Sequence, residues 1–344
     1  MDYTRANSPK AGLRLHLNEN TGGCSAAVMA ALRSIERTEI AEYPDYSDVT
    51  AQCEAWLGVA PGWVQITNGL DEGLHVAAQI AKSTDPFFEG IVIEPAFEMY
   101  AACIAAVRGR QVTVPPTVDL AFSADAVLAA ITPRTRLIYL CDPNNPTGLP
   151  IPANDILRIA EAAPDAIVLI DEAYADFSGR TLIGPALDRF RNLVVGRTFA
   201  KAHGLAGLRA GAIVAHPDTL APLRAALPPY SLNVCAIVAL QAALADRDAV
   251  ATYVAQARES RELVYGWCRT RGITFWPSEA NFVLIRIGDD ARALVRALEN
   301  ERIFIRDRSR QPGCGGCVRV TAGVVSHTRQ ALAAMERWHA TRTN

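Results

Sequence analysis

The chain has 344 residues, half of them hydrophobic, with a formal net charge of −2 and a mean hydropathy of +0.10. That is enough apolar material for a large core, as one big domain or two coupled ones. No long run of one charge sign speaks for nucleic acid or an anionic membrane as partner, and no apolar run reaches the roughly 18 residues of a membrane span. The opening "MDYTRANSPKAGLRLHLNEN" has no apolar signal core, so a cytoplasmic protein with reduced thiols is expected.

In chain order, the amphipathic stretch "CSAAVMAALRSIER" (24–37) reads as a helix packing beside a later domain. Strands are expected at "VQIT" (64–67), "GIVIEP" (90–95), "QVTVPP" (111–116), "RLIYLCDP" (136–143), "AIVLID" (166–171), "LVVGRTF" (193–199) and "AGAIVAH" (210–216). Most are nearly continuous apolar runs, the mark of strands covered on both faces in a mostly parallel sheet. Helical patterns such as 71–83 and 153–163 alternate with them, which argues for a doubly wound α/β domain. From about residue 230 the pattern changes. A helical region over 234–270 contains no glycine or proline until Gly266. Short strands and two further helices follow, as in a smaller α+β domain. The expected division is an N-terminal segment 1–40, a large domain 41–235 and a small domain 236–344. Of eight cysteines, only "CGGC" (Cys314 to Cys317) has redox or metal spacing. With no second such pair it reads as a glycine-rich hairpin tip, and no metal is expected.

Four loops that follow buried strands carry unusual polar chemistry, at the place where sites sit in such folds. "ITNGLDEGL" (66–74) runs a strand into Asn-Gly and a helix start, which suits an anion or is an ordinary cap by Asn68 or Asp71. "CDPNNPTG" (141–148) is a rigid turn that fixes Asn145. "VLIDEAYADF" (168–177) puts Asp171 at the end of an apolar strand, where a carboxylate needs a partner, with Tyr174 three residues on. "RTFAKAHGLAGLRAG" (197–211) isolates Lys201 among small and apolar residues, after Thr198 and before Arg209. A surface lysine needs no such setting. A nucleophilic one does, because its pKa must fall.

Together these groups suit pyridoxal phosphate. Its phosphate needs a helix N-terminus, a hydroxyl and an arginine. Its aldehyde needs a lysine amine, and its ring nitrogen a carboxylate. Asn and Tyr suit the ring oxygen.

The ordered motifs "LHLNEN", "YPDY", "TNGLDEGL", "EPAFEMY", "CDPNNPTG", "LIDEAYADF", "RTFAKAHGLAGLRAG", "EANFVLIRI", "IFIRDR" and "VRVTAG" cover residues 15 to 335. They resemble the fold-type I pyridoxal-phosphate aminotransferases, and among them the histidinol-phosphate aminotransferase group. The resemblance implies a seven-stranded, mostly parallel sheet between helices, a smaller α+β domain, and a homodimer with shared sites. It implies that Lys201 is the Schiff-base lysine, Asp171 the partner of the ring nitrogen, and Asn145 and Tyr174 the donors to the ring oxygen. It makes Phe97 the stacking aromatic. Leu70, Asp71, Thr198 and Arg209 become the phosphate cradle, joined by Tyr43 from the partner subunit. Arg319 and Arg306 become anion-binding arginines of the substrate pocket, and Asn20 a residue at its entrance. The implied reaction moves an amino group from a glutamate-like donor to a keto substrate. Aromatic aminotransferases and threonine-phosphate decarboxylases share the architecture. An "HGG"-like stretch usual in the decarboxylases is replaced here by "LNEN", which favours transamination. The chain departs from the family pattern at Ala200, usually a serine, and at "NENTGGCS", a segment expected to border the substrate.

Overall fold

The computed structural model describes residue 9 and residues 11–343; residues 1–8 and Lys10, which open the expected N-terminal segment, and Asn344 lie outside them. Seven strands form the main sheet: β1 Val64–Asn68, β2 Glu89–Ile93, β3 Arg110–Val114, β4 Thr135–Cys141, β5 Ile167–Asp171, β6 Leu193–Thr198 and β7 Ala210–Val214. Their order is β1-β7-β6-β5-β4-β2-β3. Strands β2 to β6 pair in parallel, and β7 runs antiparallel to both neighbours. Each apolar run read from the sequence falls on one of these strands. The reason is two-sided burial: along β4, Leu137 and Tyr139 enter the apolar cluster on one face, and Ile138 and Leu140 the cluster on the other. Every residue of β6 and β7 is buried. Edge strand β3 is largely exposed, and Arg110 at its start pairs with Glu89 at 2.8 Å.

Helices cover both faces. Helix α1 (Ala26–Arg33) packs on α4 (Val234–Ala245), and its Val28 joins the sheet's own core. Helices α2 (Leu70–Thr84) and α3 (Met99–Ala106) follow β1 and β2. The helical region expected over 234–270 is two helices, α4 and α5 (Arg247–Arg269). They meet at Asp246, which leaves helical geometry (φ −93°, ψ 66°) and accepts a hydrogen bond from the Ala249 N–H at 3.3 Å. The break is made by a capping side chain rather than by glycine or proline.

A second, antiparallel sheet holds β8 Thr274–Phe275, β9 Phe282–Arg286, β10 Arg306–Asp307 and β11 Cys317–Thr321, in the order β10-β11-β9-β8. The Cys314–Cys317 segment is a tight turn entering β11, closed by the Cys317 N–H on the Cys314 carbonyl at 2.9 Å. Both thiols are buried against Leu120, Trp276 and Leu284. The C-terminal ends of β1, β4, β5 and β6 share one edge of the main sheet, and the second sheet presents β10 and β11 to that edge.

Candidate active site

At this edge lies a cleft of about 250 Å³. Its floor is the loops after β1, β2, β4, β5 and β6. Leu17, Asn18 and Glu19 close one side, and Arg306, Arg308 and Arg319 close another.

The start of α2 opens into the cleft through Leu70 and Asp71. Neither Asn68 nor Asp71 caps it. Gly69 occupies the cap position at φ +72°, with no side-chain cap hydrogen bond, and the Asn68 N–H is taken by Glu72 Oε2 at 2.6 Å. The first helical N–H groups therefore keep the positive end of the helix dipole directed at the cleft. The backbone conformation at position 69 (φ +72°, ψ 161°) calls for glycine, and a Cβ there would also push on Arg209 Nη2, 2.4 Å away. Arg209 in turn donates to Asp71 Oδ2 at 2.7 Å. Thr198, buried at the end of β6, accepts from the Ala200 N–H at 3.2 Å. Just before it, the Arg197 guanidinium joins Asp176 at 2.8 Å and Glu172 at 3.4 Å, which ties the end of β6 to the segment after β5.

Two ionisable groups on the floor are strongly perturbed. Asp171 ends β5 almost fully buried. Burial pushes its carboxyl up to about 6, against the opposing pull of hydrogen bonds from Tyr100 and Ala173. Tyr100 Oη donates to Oδ2 at 2.7 Å and the Ala173 N–H to Oδ1 at 3.0 Å, so both oxygens are held. Lys201 is pushed down to about 8, first by burial and then by the positive charge of Arg319. Its Nζ donates to the Leu17 carbonyl at 3.1 Å. A desolvated amine and a desolvated carboxylate thus line one cleft, the arrangement expected of reactive groups and not of surface ones.

Tyr174 and Asn145 complete the floor. Tyr174 Oη accepts from Asn18 Nδ2 at 3.0 Å. Asn145 Oδ1 accepts from Arg319 Nη1. Arg319 also donates to the His16 carbonyl at 2.8 Å and lies over the Phe282 ring. Phe97 lines the cleft, edge-on to Tyr100 at 5.7 Å.

The structure thus brings together Leu70, Asp71, Phe97, Asn145, Asp171, Tyr174, Thr198, Lys201, Arg209, Arg306 and Arg319. It places Asn20 elsewhere. That side chain donates to the Ala202 carbonyl at 3.0 Å and accepts from the Gly22 N–H at 2.9 Å, bracing the loop behind Lys201; Asn18 and Glu19 line the cleft instead. The segment after it turns toward α5, with the Thr21 N–H on Tyr253 Oη at 3.2 Å. The "NENTGGCS" departure therefore falls mostly outside the cleft. Tyr43 is 79% exposed and stacks on Tyr230 at 4.4 Å, away from the cleft of its own chain. Sequence reasoning passed over Tyr100, Glu98 and Arg308. Tyr100 and Glu98 stand within the quoted "EPAFEMY" and Arg308 two places after Arg306, but nothing local marks Glu98 and Arg308 as cleft groups or Tyr100 as the partner of Asp171.

The model of the family Aminotransferase class I and II matches residues 10–335. A histidinol-phosphate aminotransferase 2 of Ralstonia nicotianae is 34% identical over 94% of this chain and 88% of its own. A histidinol-phosphate aminotransferase of Symbiobacterium thermophilum is 32% identical over 94% and 90%. Among solved structures, histidinol-phosphate aminotransferase from Sinorhizobium meliloti, in complex with pyridoxal-5'-phosphate, superposes with a TM-score of 0.83 at 27% identity, covering 94% of this chain and 89% of that one. With this match over nearly its whole length, and a cleft built from a desolvated lysine, a buried aspartate and an uncapped helix start, the chain belongs to the class I and II aminotransferase family.

Proposed function

We propose that the chain is a pyridoxal-phosphate-dependent aminotransferase that exchanges an amino group between a glutamate-like donor and the keto counterpart of histidinol phosphate. The observation that carries this reading is the pairing of Lys201 and Asp171, both desolvated, in one cleft with the open start of α2. The names and coverage of the relatives support the substrate.

The residues fit the cofactor. The start of α2, Thr198 and Arg209 would hold its phosphate. Gly69 and Gly211 leave no room for side chains where backbone must come close; a Cβ on Gly211 would lie 2.4 Å from the Leu70 nitrogen. Lys201 would hold the aldehyde carbon, Asp171 the ring nitrogen, Asn145 and Tyr174 the ring oxygen, and Phe97 would lie against the ring. When bound, pyridoxal phosphate supplies an electron-withdrawing ring that stabilises negative charge on the substrate carbon that loses its proton. Lys201, lowered toward neutrality by burial, takes and returns that proton. Asp171 stays anionic near pH 7 and would provide the fixed negative charge at the ring nitrogen. Arg319 and Arg306 orient the substrate through its anionic groups.

The exposed Tyr43–Tyr230 pair supports a homodimer in which Tyr43 reaches the neighbour's cleft. Among the described residues no helix is long and apolar enough to cross a membrane, and a cytoplasmic enzyme fits this reading. The test is a coupled assay of the cofactor-loaded enzyme with histidinol phosphate and 2-oxoglutarate. The proposal expects glutamate to accumulate in step with loss of histidinol phosphate. Colour on loading without any amino transfer to 2-oxoglutarate would reject the substrate assignment.

A further inference from the structure

Glu98 and Arg308 meet inside the cleft from opposite sides. Glu98 follows β2 and leads into α3, whereas Arg308 follows β10 in the second sheet, 210 positions on. Arg308 Nη1 donates to Glu98 Oε1 at 2.5 Å, and Gln311 Nε2 approaches the same oxygen at 3.4 Å. The two partners are unequal. The Arg308 side chain is 5% exposed, that of Glu98 32%. Burial alone would push the Glu98 carboxyl up, but the charge of Arg308, hydrogen bonds from a backbone N–H and from Arg308, and the charge of Arg319 together hold it below its usual range, so it stays anionic. Arg308 Nε and Arg319 Nε are buried without a hydrogen-bond partner. The wall formed by Arg306, Arg308 and Arg319 therefore holds three guanidinium groups, unused donor capacity, and one carboxylate that belongs to the protein.

An enzyme that transfers an amino group binds two different substrates in turn in one cleft. A buried guanidinium with no counter-ion is costly when the bound side chain carries no anion. A guanidinium permanently neutralised cannot read an anion when one is present. A displaceable partner on the more exposed side of the pair, where Glu98 stands, resolves both demands.

Resting on the function proposed above, we propose that Arg308 is a third anion-binding arginine of the cleft and that Glu98 is its exchangeable counter-ion, displaced when a substrate with a second anionic group is bound. Glu98 then lowers affinity for doubly anionic substrates by competing for Arg308, and lets the cleft accept substrates whose side chain is uncharged. The pair is thus a specificity determinant distinct from Arg319 and Arg306.

The test is calorimetric titration of the cofactor-loaded enzyme with 2-oxoglutarate (two carboxylates) and with phenylpyruvate (one carboxylate and an apolar side chain). Glu98→Gln keeps the shape and an acceptor oxygen while removing the competing charge. It is expected to tighten 2-oxoglutarate about tenfold, the scale of one hydrogen bond to a charged group, and to leave phenylpyruvate unchanged or weaker. Arg308→Gln is expected to weaken 2-oxoglutarate by a similar factor. The double variant is expected to match Arg308→Gln, because the competitor matters only while the arginine is present. Unchanged 2-oxoglutarate binding in Glu98→Gln, or a double variant that binds like the wild type, would overturn the proposal. If Arg308→Gln fails to fold, the Glu98→Gln comparison of the two acids decides alone. Colour on loading and transamination by the same wild-type preparation report separately on the underlying function.

Discussion

Replacing Lys201 by methionine in the cofactor-free protein should make it more stable, although a long side chain is exchanged at the heart of the cleft. The lysine's drop from 10.5 to about 8 corresponds, at 1.36 kcal/mol per pKa unit, to about 3 kcal/mol of native-state penalty for the charged amine. The side chain is partly exposed at the cleft, and about 3 kcal/mol is the low end of that conversion, which allows for solvent screening. The sign follows from linkage. Between pH 8 and 10.5 the unfolded chain holds a proton that the native chain has shed, so stability rises with pH across that window. Below pH 8 the penalty is present in full. Methionine has a similar length, packs adaptably and carries no charge. It forfeits the hydrogen bond to the Leu17 carbonyl, worth about 1 kcal/mol. The net gain at pH 7 is then about 2 kcal/mol. At about 2.1 cal/mol/K of unfolding entropy per residue, a chain of this size gains roughly 3 °C in Tm. The assay is thermal unfolding of both cofactor-free proteins at pH 7 and pH 10.5. The gain should be present at the lower pH and gone at the higher. A Lys201→Met variant less stable at pH 7, or a difference independent of pH, would refute the claim that this amine is held against its own desolvation cost.

Three further outcomes are expected. Tyr100→Phe removes the donor on Asp171 Oδ2 and lets the carboxyl climb by roughly 1–2 pKa units; the carboxylate is then partly protonated at neutral pH. The acidic limb of the kcat profile of the loaded enzyme should move toward higher pH with little change in KM, and an unmoved limb would show that Tyr100 does not act through Asp171. Ala200→Ser adds a hydroxyl beside Thr198 at the cradle, and a hydrogen bond to the cofactor phosphate of about 1.5–3 kcal/mol should lower its Kd at least tenfold; an unchanged or weaker Kd in spectroscopic titration counts against that cradle. Gly69→Ala forces a left-handed φ and a clash with Arg209, costing about 1–2 kcal/mol of stability and weakening cofactor binding more than substrate binding, as parallel melting and titration curves would reveal.

The main sheet was legible because its strands are buried on both faces and need apolar residues at nearly every position. The loops at their ends stood out for the opposite reason: Asp171 and Lys201 are polar groups set where polar groups are costly. Contacts that join distant segments left no local mark. Arg308 reads as one arginine among several until the fold brings it onto Glu98. Tyr100 looks like an ordinary apolar helix position because its hydroxyl finds Asp171 only across the sheet. Asn20 was assigned to the cleft entrance through the resemblance of "LNEN" to the family motif, which carries no mark of how the chain turns there. Asn18 turns with φ +56°, which puts Asn18 and Glu19 toward the cleft and Asn20 behind it. Asp246 hides a helix boundary because an aspartate that caps one helix looks like any charged residue within another.

The chain contains three lysines, Lys10, Lys82 and Lys201, so its central claim has a direct test. The protein is incubated with pyridoxal phosphate, reduced with borohydride and mapped by peptide mass spectrometry. The account predicts stoichiometric pyridoxyl labelling at Lys201, and none there when the cofactor is omitted. Labelling confined to Lys10 or Lys82, or no stable label at all, would contradict it.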